Sequence, residues 1–80
     1  MRIDKYLKNS RIIKRRTVAK EACEQGRVSL NGKIAKPGAE VGPGDEIYIE
    51  FGNSSVRLRV LKVADSVRKE DAPSMYEIIE

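Results

Sequence analysis

Residues 15–36 read RRTVAKEACEQGRVSLNGKIAK, and the hydrophobic period of this stretch changes once along its length. Up to Gln25 the apolar residues recur with the spacing of an α-helix, and Gly26 is a typical residue to end it. After Gly26 apolar and polar residues alternate, and Asn31-Gly32 is the strongest short signal for a β-hairpin turn. The stretch therefore predicts a helix over residues 15–25 that leads directly into a hairpin.

The predicted helix over residues 15–25 has an apolar stripe and a cationic flank. At about 100° per residue, the stripe consists of Val18, Ala19, Ala22 and Cys23. Arg16 and Lys20 lie together at its edge. The small alanines allow another element to approach closely. Cys23 lies on the apolar face, so we predict a buried structural thiol.

The strand register of this hairpin depends on the length of its loop. A strict two-residue loop places Lys33 opposite Leu30 and turns the apolar Ile34 to the other face of the sheet. A bulge or a longer loop would return Ile34 to the core face. The sequence leaves the strict loop and these two devices open as alternatives.

Residues 2–8 predict a first, short helix. Ile3, Tyr6 and Leu7 project to one side of it, and the other side carries Asp4 with three cations, at Arg2, Lys5 and Lys8. One face should therefore pack, while the opposite face presents positive charge. Between the two helices, Ile12 and Ile13 are expected to anchor a strongly basic loop.

The remainder of the chain predicts an antiparallel sheet. Residues 42–45, GPGD, have turn chemistry, and alternating residues in 47–51 and 56–60 predict two strands with Phe51 in the core. Arg57 and Arg59 point outward, with Glu46 and Glu50 as expected cross-strand partners. Residues 64–74 predict a polar connection, and 75–79 a last strand. The fold class is α+β, with two N-terminal helices packed on an antiparallel sheet of four to five strands.

The composition excludes most classes of catalyst. The 80 residues suffice for one domain and contain no histidine and one cysteine. A Cys–His nucleophile pair and a zinc cluster are therefore excluded, and we expect no enzyme, no metal and no cofactor. No apolar run approaches the roughly 18 residues of a membrane span, and the N-terminus lacks a signal sequence. A single cysteine agrees with a reducing cytoplasm.

Positive charge is concentrated in the first half of the chain. Residues 1–36 contain eleven Lys or Arg against three acids, a net charge of +8, whereas residues 37–80 contain five against nine, a net charge of −4. A surface that serves only solubility normally mixes both signs. The segregation therefore favours a polyanion as partner of the first half. Because aromatic residues are few, contact with nucleic acid should use phosphates and folded shape rather than base stacking.

Several short motifs carry a resemblance to a known family. RIDKYL at residues 2–7, KRRT at 14–17, QGRVSLNGK at 25–33 and PGD at 43–45 follow in this order. Together they resemble the S4-type RNA-binding domain over about residues 2–50. The FG turn at 51–52 and the tail APSMYEII at 72–79 are similar to short, free-standing S4 proteins of Gram-positive type. That group includes the ribosome-associated quality control protein P and is similar to the ribosome-binding fifteen-kilodalton heat-shock protein.

The resemblance implies an S4-type RNA-binding domain over residues 1–62, with residues 63–80 as a polar connection and last strand of the same domain. It further implies a large ribosomal subunit carrying peptidyl-tRNA as partner, contact with rRNA and tRNA, and support of alanine tailing by a quality-control tailing factor. DNA and membranes are not expected partners. The RNA-facing positions that it assigns are Arg2, Asp4, Lys5, Arg11, Lys14, Arg15, Arg16, Lys20, Arg27, Asn31, Gly32 and Lys33. The charge pattern adds Lys8.

Two of these assignments leave alternatives open. Asp4 either contacts RNA or orients a neighbouring Arg or Lys. Arg15 stands where many S4 domains carry a Ser or Thr that caps the second helix, so the start of that helix is less certain and an extra cation replaces the cap.

Three other functions compete with ribosome quality control. The first is a general rRNA-binding heat-shock or ribosome-assembly factor. The second is the RNA-binding module of a modifying enzyme, against which the chain length argues. The third, from another class, is a protein–protein adaptor that uses the acidic strands as its main surface.

Overall fold

The computed structural model describes residues 1–79, and in this range two N-terminal helices pack against a five-stranded antiparallel sheet. The helices are α1 (Ile3–Asn9) and α2 (Arg16–Glu24), and the strands are β1 (Val28–Leu30), β2 (Lys33–Ile34), β3 (Glu46–Phe51), β4 (Ser54–Val60) and β5 (Tyr76–Ile78). The strand order is β2-β1-β3-β4-β5. The predicted fold class is confirmed. Over residues 1–79 no helix has the length and apolar character needed to cross a bilayer.

Helix α1 buries the face that its periodicity predicts. Ile3, Tyr6 and Leu7 are completely inaccessible to solvent. The Tyr6 hydroxyl donates a buried hydrogen bond of 2.7 Å to the Met75 carbonyl, and burial raises the pKa of this phenol above its ordinary value. The projection was wrong for Asp4, because this carboxylate is only 2% exposed. The start of α2 packs beside this turn of α1 and covers it.

Helix α2 packs through small residues, as predicted, but its apolar stripe is narrower than its sequence suggests. Ala19, Ala22 and Cys23 are buried, whereas Val18 is 47% exposed. Val18 projects farthest from the centre of the buried arc, so the close approach of α1 does not cover it. The helix ends as predicted at Gly26, whose φ of +75° favours glycine.

The hairpin between β1 and β2 has the strict two-residue turn. Leu30 pairs with Lys33 and Ser29 with Ile34, while Asn31 and Gly32 adopt positive φ angles of 51° and 87°. Of the alternatives that the sequence leaves open, the hairpin has the strict loop, without a bulge or a longer loop. A turn with two left-handed residues matches the twist of the strands and fixes the register, which leaves Ile34 71% exposed.

Strands β3 and β4 form the centre of the sheet. Ile47, Ile49, Leu58 and Val60 are buried on its inner face. The prediction that Phe51 belongs to the core was wrong, since it is 39% exposed. Phe51 pairs with Ser54 at the last position of the ladder, next to the turn, and so lies at the margin of the core. On the outer face Arg59 contacts Glu46, as predicted, and also Glu77.

The segment before β5 contains structure that the sequence pattern did not predict. A 3₁₀ helix occupies Lys69–Met75 within the expected polar connection, and its Ala72 and Met75 are buried. Strand β5 then pairs with β4, which agrees with the predicted last strand. The C-terminal segment is thus attached to α1 through Met75 and Tyr6 and to the sheet through β5.

Candidate nucleic-acid interface

Two arginines, Arg2 just before α1 and Arg16 at the start of α2, meet at one buried carboxylate. Arg2 Nε and Nη2 donate to the two oxygens of Asp4 at 3.3 and 3.2 Å, and Arg16 Nη2 lies 3.5 Å from Asp4 Oδ1. The Arg2 and Arg16 side chains remain about half exposed. Asp4 thus sets the positions of two guanidinium groups whose remaining N–H donors face solvent. The orienting role that the sequence left open for Asp4 agrees with this geometry.

Local structure explains how Asp4 reaches this position. It lies in the first turn of α1, where a carboxylate interacts favourably with the helix dipole and with unpaired backbone N–H groups. The Lys5 N–H donates to Asp4 Oδ1 at 2.8 Å. Helix α1 packs on α2, and this packing brings Arg16, the first residue of α2, beside the same carboxylate.

The start of α2 adds further donors. Arg15 is its N-cap residue and has extended backbone angles, but no side chain caps the helix there. Lys20 lies one turn after Arg16 on the same flank. Arg2, Asp4, Arg16, Thr17 and Lys20 line a shallow depression of about 280 Å³. Cationic side chains beside uncapped helical N–H groups form an arrangement that suits a phosphate.

A second group of predicted residues lies at the opposite end of α1. Lys8 is in its last turn, and Arg11 and Lys14 follow in the loop to α2. Together they line one side of a groove whose other side comes from residues 65–69. Arg11 has a positive φ of 62°, which is uncommon for a residue with a side chain. Lys5 lies between the two groups, and its Nζ is 3.1 Å from Asp65.

The remaining predicted residues are not among those that line either depression. Arg27 donates to the side chain of Gln25 next to β1. Asn31 ties its hairpin turn to the start of β3, since its side chain accepts from the Glu46 N–H at 2.9 Å and donates to Asp45 at 3.2 Å. Lys33 is exposed on β2. The geometry therefore gives Asn31 a structural role and places Arg27 and Lys33 at the periphery.

Lys69 also lies at this surface, although no sequence pattern predicts it. It belongs to the acidic half of the chain, yet it lines the same groove as Lys8, Arg11 and Lys14. No local sequence signal identifies Lys69, because its approach to the groove depends on the long-range contacts of the C-terminal segment.

Cys23 has no place in this surface. It is buried, as predicted, and burial raises the pKa of its thiol to about 11. The nearby acidic groups Asp4 and Glu24 act in the same direction. Cys23 therefore stays protonated at neutral pH and fills space between α2 and the core. Within residues 1–79 no group of histidine, cysteine or acidic side chains is arranged to hold a metal ion.

Comparison with known proteins decides the family. Residues 1–47, which include both helices and the first hairpin, match the family model described as the S4 domain. The chain belongs to the S4 domain family. The resemblance predicted from the four motifs is thus confirmed, and the Arg2–Asp4–Arg16 cluster lies inside the matched S4 domain.

Two relatives of this S4 protein carry the same name. Proteins called RQC P-site tRNA stabilizing factor from Halalkalibacterium halodurans and Streptococcus pneumoniae are each 54% identical to it. The alignments cover 98% and 99% of this chain and 89% and 90% of the relatives. The trimeric structure of Vibrio cholerae Heat Shock Protein 15 is 31% identical, superposes with a TM-score of 0.92, and is covered over 81% of its chain.

Proposed function

We propose that this S4 protein binds RNA on the large ribosomal subunit and acts in ribosome-associated quality control of stalled nascent chains. It contacts rRNA together with the tRNA that still carries the nascent peptide. In that position it supports alanine tailing by a separate quality-control factor. It acts in the cytoplasm, where the ribosomes are, and has no catalytic role of its own.

The Arg2–Asp4–Arg16 cluster carries this proposal. Guanidinium groups bind phosphate oxygens and base edges through paired N–H donors, and they do so best when their orientation is fixed beforehand. Here one buried carboxylate fixes two of them. Lys20 and the uncapped start of α2 extend the same surface. Such an arrangement suits a folded RNA backbone.

The names of the relatives support tRNA as one of the RNAs bound. Two relatives of nearly the same length, each 54% identical, are called stabilizing factors of P-site tRNA, which supports a site where tRNA meets the subunit. This proposal also includes an S4-type domain that ends at residue 62. It includes the individual RNA contacts of the predicted site residues as well.

A general rRNA-binding heat-shock role is the second candidate, and the close structural match to Heat Shock Protein 15 favours it. Its sequence identity of 31% is lower than the 54% found for the quality-control relatives. The two functions differ in one measurable respect. A quality-control factor should require peptidyl-tRNA on the subunit, whereas a general rRNA binder should not.

Co-sedimentation with isolated large subunits, with and without peptidyl-tRNA in the P site, tests the proposal. We expect clearly tighter binding when peptidyl-tRNA is present. Equal binding to both would favour the general rRNA binder, and no binding to either would favour the protein–protein adaptor.

A pair of matched arginine variants tests the position of the site. Arg16→Ala should weaken binding by about tenfold to a hundredfold, because a charge-assisted fork to RNA is lost. Its unfolding free energy should change by no more than about 1 kcal/mol, since Arg16 is half exposed. Arg59→Ala, which removes an arginine that pairs with Glu46 and Glu77, should bind almost normally. The reverse ranking would place the RNA surface on the sheet.

A further inference from the structure

We propose that the groove between the C-terminal end of α1 and residues 65–69 is a second phosphate-binding cleft, which holds an RNA backbone and uses Lys69 as one of its walls. This inference rests on the proposed function. It extends the RNA surface into the acidic half of the chain, away from the Arg2–Asp4–Arg16 cluster.

The groove has a volume of about 610 Å³ and two walls that are distant in sequence. Lys8, Asn9, Arg11 and Lys14 form the first wall, and residues 65–67 with Lys69 form the second. Its one acid is Asp65, and the Lys5 Nζ at 3.1 Å offsets that charge from outside the groove. The four cations that line the groove therefore dominate its potential.

None of these four cations has a partner within the part of the chain that the structure describes. Lys8, Arg11, Lys14 and Lys69 form no ion pair or hydrogen bond through their side chains with residues 1–79. By contrast, Arg2, Arg16 and Arg59 all contact acids. Like charges that line one groove repel one another, and an anion between them offsets this repulsion. A phosphate in the groove would supply that anion.

Several contacts hold the second wall in place against α1. The Asn9 side-chain amide donates to the carbonyls of Ala64 and Asp65 at 3.0 and 3.2 Å. Farther along, the buried hydrogen bond from Tyr6 to the Met75 carbonyl fixes the end of the 3₁₀ helix that starts at Lys69. The groove is therefore built by long-range contacts and exists before a ligand binds.

The first wall includes an unusual backbone conformation. Arg11 has a φ of 62°, and the hydrogen bonds from the Arg11 N–H to the Lys8 carbonyl and from the Ile13 N–H to the Leu7 carbonyl enclose this turn. Left-handed conformations of non-glycine residues are costly, and they concentrate at sites where a side chain must be aimed. The turn leaves the Arg11 side chain exposed at the groove.

The chemistry of the lining favours the backbone of RNA over its bases. None of the described residues that line the groove is aromatic, so a base has nothing to stack on. Arg2 and Lys8 are six residues apart along α1, a rise of about 9 Å. One RNA backbone is long enough to reach both the arginine cluster and the groove. An acidic peptide is the competing occupant.

Two lysine variants from the same segment test the cleft. Lys69→Ala removes one wall, whereas Lys62→Ala removes an exposed lysine that does not line the groove and serves as the matched control. Binding to large subunits that carry peptidyl-tRNA is measured across a series of KCl concentrations. Each phosphate contact contributes about −0.9 to the slope of log affinity against log salt. Lys69→Ala should therefore flatten the slope by about 1 and weaken binding about fivefold at 0.15 M salt, while Lys62→Ala should change neither.

Lys14→Gln, on the opposite wall, should reproduce the Lys69→Ala effect and provides a second variant if Lys69→Ala lowers the melting temperature. If Arg16→Ala weakens binding while Lys69→Ala and Lys14→Gln both bind like wild type, the proposed cleft is wrong. The proposed function would be unaffected by that result. If both variants bind protein-free large-subunit rRNA like wild type but bind subunits weakly, the occupant is an acidic protein segment, and the proposal is wrong. No binding by the wild type would contradict the proposed function itself.

Discussion

The buried Asp4 carboxylate offers a test in which two explanations of the basic surface predict opposite signs. Asp4→Asn removes one negative charge and keeps the size of the side chain. If the surface acts only through its summed charge, the variant should bind RNA more tightly, because the net charge rises by one from +4. If Asp4 positions Arg2 and Arg16, the variant should bind more weakly.

The structure sets the size of both effects. The bond from the Lys5 N–H to Asp4 Oδ1 survives in asparagine, but the new amide N–H group lacks the charge that attracts the two guanidiniums. Because both arginines are half exposed, each ion pair is worth about 0.2–1 kcal/mol, and loss of the two should lower the unfolding free energy by about 0.4–2 kcal/mol. Reordering two released arginines on binding costs about 0.5–1.5 kcal/mol each. After allowance for the charge gained, a loss of about 1–2 kcal/mol remains, or roughly fivefold to thirtyfold in affinity.

The assay combines urea unfolding with equilibrium binding to large subunits that carry peptidyl-tRNA. Asp71→Asn is the matched control, since it makes the same chemical change at an exposed acid that lines neither basic depression. We expect this control to bind at least as tightly as wild type. A folded Asp4→Asn protein that binds as tightly as Asp71→Asn would refute the positioning role.

Three further predictions concern charge, packing and capping. If about five phosphates are engaged, log affinity for the subunit should fall against log salt with a slope of roughly −4 to −5, and a slope near zero would indicate an adaptor. Cys23→Ser should lower the unfolding free energy by about 1–3 kcal/mol, because an unpaired hydroxyl replaces a buried thiol, and a fully stable variant would contradict the packing role. Arg15→Ser should raise the unfolding free energy by about 1 kcal/mol, measured by thermal melts, because serine caps α2. The same variant should bind RNA more weakly and flatten the salt slope by about 1 in subunit titrations, because one cationic contact to phosphate is lost. A destabilised Arg15→Ser protein would mean that Arg15 already satisfies this helix end.

The basic surface was only partly predictable. Arg2 and Arg16 were identified from charge and motif, but their meeting at Asp4 depends on how α1 packs on α2. A helical projection assigned Asp4 to the solvent side because it treats α1 as isolated. Lys69 was not predicted as a site residue for a related reason. The count of charges along the chain placed it in an acidic half, whereas folding returns it to the basic loop.

The sequence alone determined the features that depend on near neighbours. Helical periodicity set α2 to within a residue at each end, Gly26 ended it, and Asn31-Gly32 fixed a two-residue hairpin so firmly that Ile34 was left exposed. These outcomes follow from backbone sterics over a few residues. Tertiary structure decided how far each apolar face is covered, which left Val18 and Phe51 partly exposed, and which charges from distant segments meet. Periodicity predicts which face of a helix or strand is apolar. The contacts of that face depend on the other elements that pack against it.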